Sequence, residues 1–227
     1  MLNLTVVAAL ALAANPEVFT LQVGESPEVA LSAIHGTIDV RREGNGPVRI
    51  TAELPPRGGH RHDWVVEVRS DKDQVHAKVC CGKCESNQDA FKDCSDGPVK
   101  LSAVLPERAD LKVSCVSAEM KVQGGSGETE LATVSGPVQV TGTRGEVSVS
   151  AVSSHVSITP ARTRHTQVNT VSGDVVLRLP ASTDAQLHFS TLSGEGPRRT
   201  RLGAGEGAEI QVSTLSGDLK LRESGER

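Results

Sequence analysis

The chain has 227 residues, with 24 Lys and Arg against 28 Asp and Glu, for a formal charge of −4. Aromatic residues make up 2% of it, as three Phe, one Trp and no Tyr. An acidic balance argues against a nucleic-acid binder, which needs a basic surface. So few rings supply no platform for stacking sugars or bases.

The chain opens on an apolar run, Leu4 to Ala14, with no charged residue before Glu17. That run has the length of a signal-peptide core and is too short to span a bilayer. Ala11-Leu12-Ala13 gives the small-x-small pattern of a cleavage site, although no Lys or Arg precedes the core. The expectation is a signal peptide over 1–13 and an exported protein in the periplasm, cell envelope or extracellular space. No Cys follows the core to take a lipid, and no later segment reads as a transmembrane helix.

A first repeat-like copy follows, Val29-x-Leu31-x-x-Ile34-His35-Gly36-x-Ile38-x-Val40. Val48-x-Ile50-x-Ala52-x-Leu54, Trp64–Val68, Val75–Val79 and Val99-x-Leu101-x-Ala103-x-Leu105 then alternate as strands do. Pro55–Asp63 and Cys80–Gly97 read as surface insertions between them.

Cys80, Cys81, Cys84 and Cys94 lie within fifteen residues, and Cys115 stands apart. In an exported chain such clustering reads as disulfides, with all five as candidates, connectivity open and one thiol left over. Adjacent Cys80 and Cys81 should not pair, because that ring is strained. Cys81-Gly82-Lys83-Cys84 has the form of a redox C-x-x-C but lacks the βαβ setting that would activate a thiolate. A zinc site is the weaker alternative, drawing on Cys81, Cys84 and Cys94 with Cys80, His60, His62 or His76. The expected second close pair of cysteines is missing.

From residue 111 a frame recurs. It runs Leu111-x-Val113-x-x-Val116-Ser117-Ala118-x-Met120-x-Val122, then Leu131-x-x-Val134-Ser135-Gly136-x-Val138-x-Val140. Further copies centre on Val152-Ser153, Val171-Ser172, Leu192-Ser193 and Leu215-Ser216. The serines are 18, 18, 19, 21 and 23 residues apart. Apolar residues two apart share a face of a strand. The three-residue step from Val113 to Val116 breaks that parity and predicts a bulge or corner. On this reading the apolar residue after the step, Val171 for example, points inward, and Gln139 points to water. Each copy is too small to bury its own row, so stacking buries a continuous core. The fold class is all-β. It is a β-solenoid or β-helix of about six to seven coils of 18–23 residues, with an irregular, Cys-containing N-terminal cap region. Residues 14–110 hold the irregular strands and cap and 111–227 the regular coils, read together as one domain over 14–227. A β-sandwich is the structural rival.

The pattern resembles the bacterial candidate-adhesin domains of unknown function, relatives of the head-domain adhesin family. The matching residues are Ile34-His-Gly-Thr-Ile-Asp-Val40, Leu105-Pro106 followed by Leu111-Lys-Val113, and the Thr-Val-Ser-Gly and Thr-Leu-Ser-Gly copies. The resemblance implies an exported or envelope-associated β-solenoid without established enzymatic activity. The Cys80–Cys94 insertion departs from it.

No residue pattern supplies a catalytic or cofactor site. A serine in every coil is a structural position, since a nucleophile needs its own base. Asp174, Glu195 and Asp218 would stack as like charges on a solvated face. Gly203-x-Gly205-x-Gly207 lacks the strand and helix of a dinucleotide site. Arg198, Arg199 and Arg201 form a small basic patch. The expectation is a non-catalytic interaction module that binds an unidentified protein or surface component, with no nucleic acid and no cofactor, and with self-association among the modes open to it. The alternatives are a glycan-active β-helix enzyme, which would want paired acids in a groove, or a self-assembling scaffold.

Overall fold

The computed structural model describes residues 16–55, 63–84, 94, 97, 99–162, 164–197, 199–203 and 207–223. The expected signal segment, His60, His62, Arg198 and Gly205 lie outside them. All regular structure among the described residues is β. The first nine strands are β1 (Glu17–Leu21), β2 (Glu28–Arg42), β3 (Val48–Glu53), β4 (Trp64–Asp71), β5 (Gln74–Cys81), β6 (Lys100–Leu105), β7 (Asp110–Gly124), β8 (Thr129–Ser135) and β9 (Val138–Thr141). The others are β10 (Val147–Ser153), β11 (Val156–Thr159), β12 (Thr166–Ser172), β13 (Val175–Leu179), β14 (Ala185–Ser193), β15 (Arg199–Leu202), β16 (Ala208–Ser216) and β17 (Leu219–Glu223).

The strands form one sheet folded at a corner into two faces. β2 and β7 are long enough to run through both. On the first face the order is β4, β5, β2, β7, β8, β10, β12, β16, β14, β15. On the second it is β1, β3, β6, β2, β7, β9, β11, β13, β17. Pairing is parallel except at the ends, where β4, β15 and the β1–β3 pair run antiparallel. This is the stacked, solenoid-like architecture that the repeat predicts.

Stacking brings equivalent residues of each copy into register. Val113 lies opposite Leu131, Leu131 opposite Val149, Val149 opposite Val168, and Val168 opposite Val212. On the second face Met120, Val138, Val156, Val175 and Leu219 align in the same way. These inward rows are almost wholly buried. Full burial of one such side chain stabilises by about 1.5–3 kcal/mol, which is why a unit of only two short strands is viable once stacked.

One expectation needs correction, the direction of Val171, and the order of the layers departs from the order of the chain. The copies do not all stack in chain order. The last one, β16–β17, inserts between β12 and β14, so β14 ends up outside it. Parallel strands in register are interchangeable, and repeats that share one frame permit this exchange. Val171 does not point inward. It and its equivalents sit at the corner, where the ladder skips a residue, and the chain turns outward there before Ala118, Val138 and Val156 resume the interior. A glycine stands two residues on at β8 and β12, while Ala118 and Ser154 hold that place at β7 and β10 without a positive φ. Gly136 has a φ of +107°, and a Cβ there would lie 2.3 Å from the Ala118 carbonyl oxygen of the neighbouring layer.

Arg42, at the end of β2, closes the opposite turn. It is 3% exposed. Its guanidinium donates to the carbonyls of Gly124, Ala109, Gly127 and Glu128 and to Thr129 Oγ1. Burial lowers its pKa to about 10, an effect that nearby Asp110 opposes, so it stays charged at neutral pH.

Val149→Asp is expected to unfold the domain, because an unpaired buried charge costs several kcal/mol, on the order of 5. Val171→Asp and Gln139→Asp are expected to leave the β-type circular dichroism intact and the unfolding free energy within ~1 kcal/mol of wild type. A Val171→Asp as damaging as Val149→Asp would contradict the outward corner. Arg42→Leu leaves several buried carbonyls without a donor, and urea titration should show a loss of about 3–5 kcal/mol.

Candidate functional site

The corner produces a continuous surface feature. Val116, Val134, Val152, Val171, Leu215 and Leu192 form a ridge along the stack, exposed at 49, 48, 44, 47, 52 and 82% respectively. Ile34 prolongs it, half-buried, on β2. One residue earlier on each strand is a small inward side chain: Cys115, Thr133, Ala151, Thr170 and Thr214. One residue earlier again is Ser114, Ala132, Ser150, Asn169 or Ser213 on the outer surface. Ridge, floor and hydroxyl-rich wall enclose an open groove of about 590 Å³. A further 200 Å³, lined by Ser32, Ala33, Ile34, Lys78 and Val79, adjoins it at Ser114 and Cys115. From Val116 to Leu192 the ridge crosses six strands and is about 24 Å long at the inter-strand spacing.

The groove is uncharged from Cys115 to Leu215, and its polar atoms are hydroxyls and one amide. Several hydroxyls are already engaged. Thr133 Oγ1 donates to the Ser135 carbonyl at 2.9 Å, and Thr170 Oγ1 to that of Ser172 at 3.1 Å. Such a surface offers shape and apolar contact, and no carboxylate or imidazole is among its lining side chains. This exposed apolar strip is the candidate interaction surface among the described residues. The sequence reading placed these residues inside. The signal was present, since the three-residue step reverses parity, but nothing local says whether the chain then returns to the core.

The repeated serines behave structurally. Ser117, Ser135, Ser153, Ser172, Ser216 and Ser193 align in register, and Ser153 and Ser172 share a hydroxyl hydrogen bond of 2.9 Å. The acidic positions form a ladder with the backbone. Asp174 accepts from the Asp218 amide, and Asp218 from the Glu195 amide at 2.8 Å. The Asp218 amide, and after it the Lys220 ammonium, hold the Asp174 carboxyl below its ordinary pKa. Lys220 Nζ stands 3.3 Å from Asp174. These carboxylates are therefore occupied with N–H donors.

Cys80 is joined to Cys84 and Cys81 to Cys94, while Cys115 keeps a free, buried thiol 3.2 Å from Thr133 Oγ1. In this oxidised form Cys80, Cys81, Cys84 and Cys94 present no thiolate to a metal. His76 is exposed on β5. No group of three or more His, Cys, Asp or Glu among the described residues is placed to hold a metal ion. At the base of the insertion, Trp64 packs edge-on against His35 with ring centroids 4.7 Å apart. Gly203 and Gly207 close tightly on Asp184, so a phosphate has no room at these two positions. A more polar cavity of about 600 Å³ lies among the loops, lined in part by Glu146, Arg162, Arg164, His165 and Asp184. It mixes both signs of charge. No helix among the described residues is long and apolar enough to cross a membrane.

The model of the Toastrack DUF4097 family matches residues 65–222, and the chain belongs to that family. No curated protein matches it. Among solved structures, a candidate cell adhesion protein from Clostridium sporogenes shares 11% identity, covering 92% of this chain and 99% of its own, at a TM-score of 0.47. A candidate adhesin from Bacteroides fragilis shares 10%, covering 92% and 98%, at 0.43. One from Parabacteroides merdae shares 11%, covering 92% and 95%, at 0.32. These are resemblances between distant chains.

Mass spectrometry of the unreduced protein is expected to show two disulfides, with one thiol that alkylates only after unfolding. Cys94→Ser should lower the unfolding free energy by roughly 3 kcal/mol, the chain-entropy value for a loop of this size. Alkylation of all five thiols without reductant would contradict both expectations.

Proposed function

We propose that the protein is a non-catalytic, exported or envelope-associated interaction module that uses the valine ridge and its groove as the binding surface. The carrying observation is the ridge itself: six successive strands expose a large aliphatic side chain at the same corner position. A partner that covers the ridge would relieve the solvation cost that the corner imposes in every layer. The groove lining, hydroxyl and aliphatic without a carboxylate, supports binding over glycoside hydrolysis, which needs two acids flanking the bond to be cut. The clustered disulfides and the apolar opening run support an oxidising compartment.

A photo-crosslinking residue at position 152, with the protein expressed in its native host, tests the surface. Adducts are expected from position 152 and not from position 139, which faces water on the second face. Equal adduct formation at both positions, or none at 152, would contradict the assignment.

A further inference from the structure

We propose that the protein has a second binding site, separate from the ridge, which takes a small acidic sugar. It is the polar cavity of about 600 Å³ among the turns that lead into the first-face strands. The ridge lies at the far ends of those strands. The exchange of layers builds the cavity. The chain leaves β13, in the layer of β12, and must reach β14, which lies beyond β16. Residues 180–184 therefore cross the β16 layer at its entry. The Thr183 amide donates to the Pro180 carbonyl and the Ala208 amide to the Asp184 carbonyl, each at 3.0 Å, which fixes this crossing as one wall. The turn from β11 to β12 is another wall. It is pinned by the amides of Ala161 and Arg162, which donate to the Thr143 carbonyl at 2.9 and 3.2 Å.

Charge names the ligand. Arg144 holds in the previous layer the place that Arg162 takes here, since each donates its amide to the carbonyl nineteen residues earlier. Arg144 is neutralised by Glu107 at 2.7 Å. Arg162 and Arg164 both line the cavity, both are exposed, and neither has a carboxylate partner among the described residues. Glu146, exposed on the same cavity, is also unpaired among them. The Asp184 carboxylate is drawn aside to the next turn, where a Cβ on Gly203 would lie 1.9 Å from its Oδ1. The free charges are thus two guanidinium groups and one carboxylate, with the hydroxyls of Ser182 and Thr183 beside them.

Guanidinium groups bind a carboxylate through paired, charge-assisted hydrogen bonds. A single carboxylate such as Glu146 accepts from ligand hydroxyls and repels a second anionic group. A compact ligand with one carboxylate and several hydroxyls answers both demands. A bare tetrahedral anion would satisfy the arginines, oppose Glu146 and fill little of the space. The volume falls within the roughly 300–1,000 Å³ of small-molecule pockets. No Phe or Trp lines it, so recognition rests on hydrogen bonds and charge. Binding is therefore weak, with a Kd on the order of 1 mM.

The test is a titration of the ¹⁵N-labelled full chain with sodium glucuronate, glucose and inorganic phosphate in turn, at constant ionic strength. Glucuronate should shift the amides of Arg162, Arg164 and Ala208 saturably. Glucose and phosphate should each bind at least about tenfold more weakly, the fold-change of one lost charge-assisted contact. Arg162→Ala combined with Arg164→Ala should weaken glucuronate by about tenfold or more, with unchanged circular dichroism. Glu146→Ala should weaken glucuronate but not phosphate. No saturable shift with glucuronate, or shifts only away from the cavity, overturns the site. Phosphate that binds as tightly as glucuronate makes it a bare-anion site and overturns the sugar, and glucose that binds as tightly overturns the need for an acid. A double-alanine variant that binds like wild type overturns the role of the arginines, and a Glu146→Ala chain that does so overturns that of the carboxylate. The wild-type titrations decide the matter even if the double variant does not fold.

Discussion

Everything in this structure depends on in-register parallel stacking. A backbone hydrogen-bond ladder fixes the spacing between layers at about 4.8 Å, and it brings each position of the repeat beside its equivalents. A side chain that suits one layer must therefore suit contact with copies of itself. The inward rows obey this with Val, Leu, Ile and Met. The serine row obeys it by using a hydroxyl, which can donate to one neighbour and accept from the next. The acidic positions are the hard case, since carboxylates would repel along such a row. The chain offers two of them a backbone amide, from Asp218 to Asp174 and from Glu195 to Asp218.

The same constraint explains why the outward corner is aliphatic. A charged residue there would recur every layer and repel its own copies. A hydroxyl already occupies the next position, at the serine. Valine and leucine pack along the axis without electrostatic penalty, and the consequence is a long apolar ridge on an otherwise polar surface. Gly136 and Gly173 take a positive φ and a close carbonyl approach at two of these corners, while Ala118 and Ser154 make two others without one. The corner that the fold needs and the surface on which the proposed function rests are thus one local geometry.

The end that carries β4 and β5 is held by other means. The strands there are antiparallel, and the chain between β5 and β6 lacks the repeat. Two disulfides, Cys80–Cys84 and Cys81–Cys94, tie this segment to the end of β5, and Trp64 is buried opposite Cys81 on β4. Covalent links substitute for a repeated apolar row where no further layer exists to bury one.

The sequence by itself determined the all-β class, the stacked repeat, the inward rows and the structural nature of the serines. Each follows from period-two alternation and from recurrence at a near-constant interval, both of which are local. The clustering of Cys80, Cys81, Cys84 and Cys94 announced a stapled loop but not which sulfurs meet, because pairing depends on how β5 places them. Only the tertiary structure decided the order of layers, since β14 and β16 carry the same frame and either could have stacked on β12. It alone decided the direction of Val116, Val134, Val152 and Val171, because a three-residue step reverses parity and leaves both outcomes open to the chain. It alone revealed Arg42 as the fastener of a turn, for the carbonyls it binds lie 67 to 86 residues further along. Local pattern fixes what a strand can do; the assembled stack fixes which neighbour it does it with.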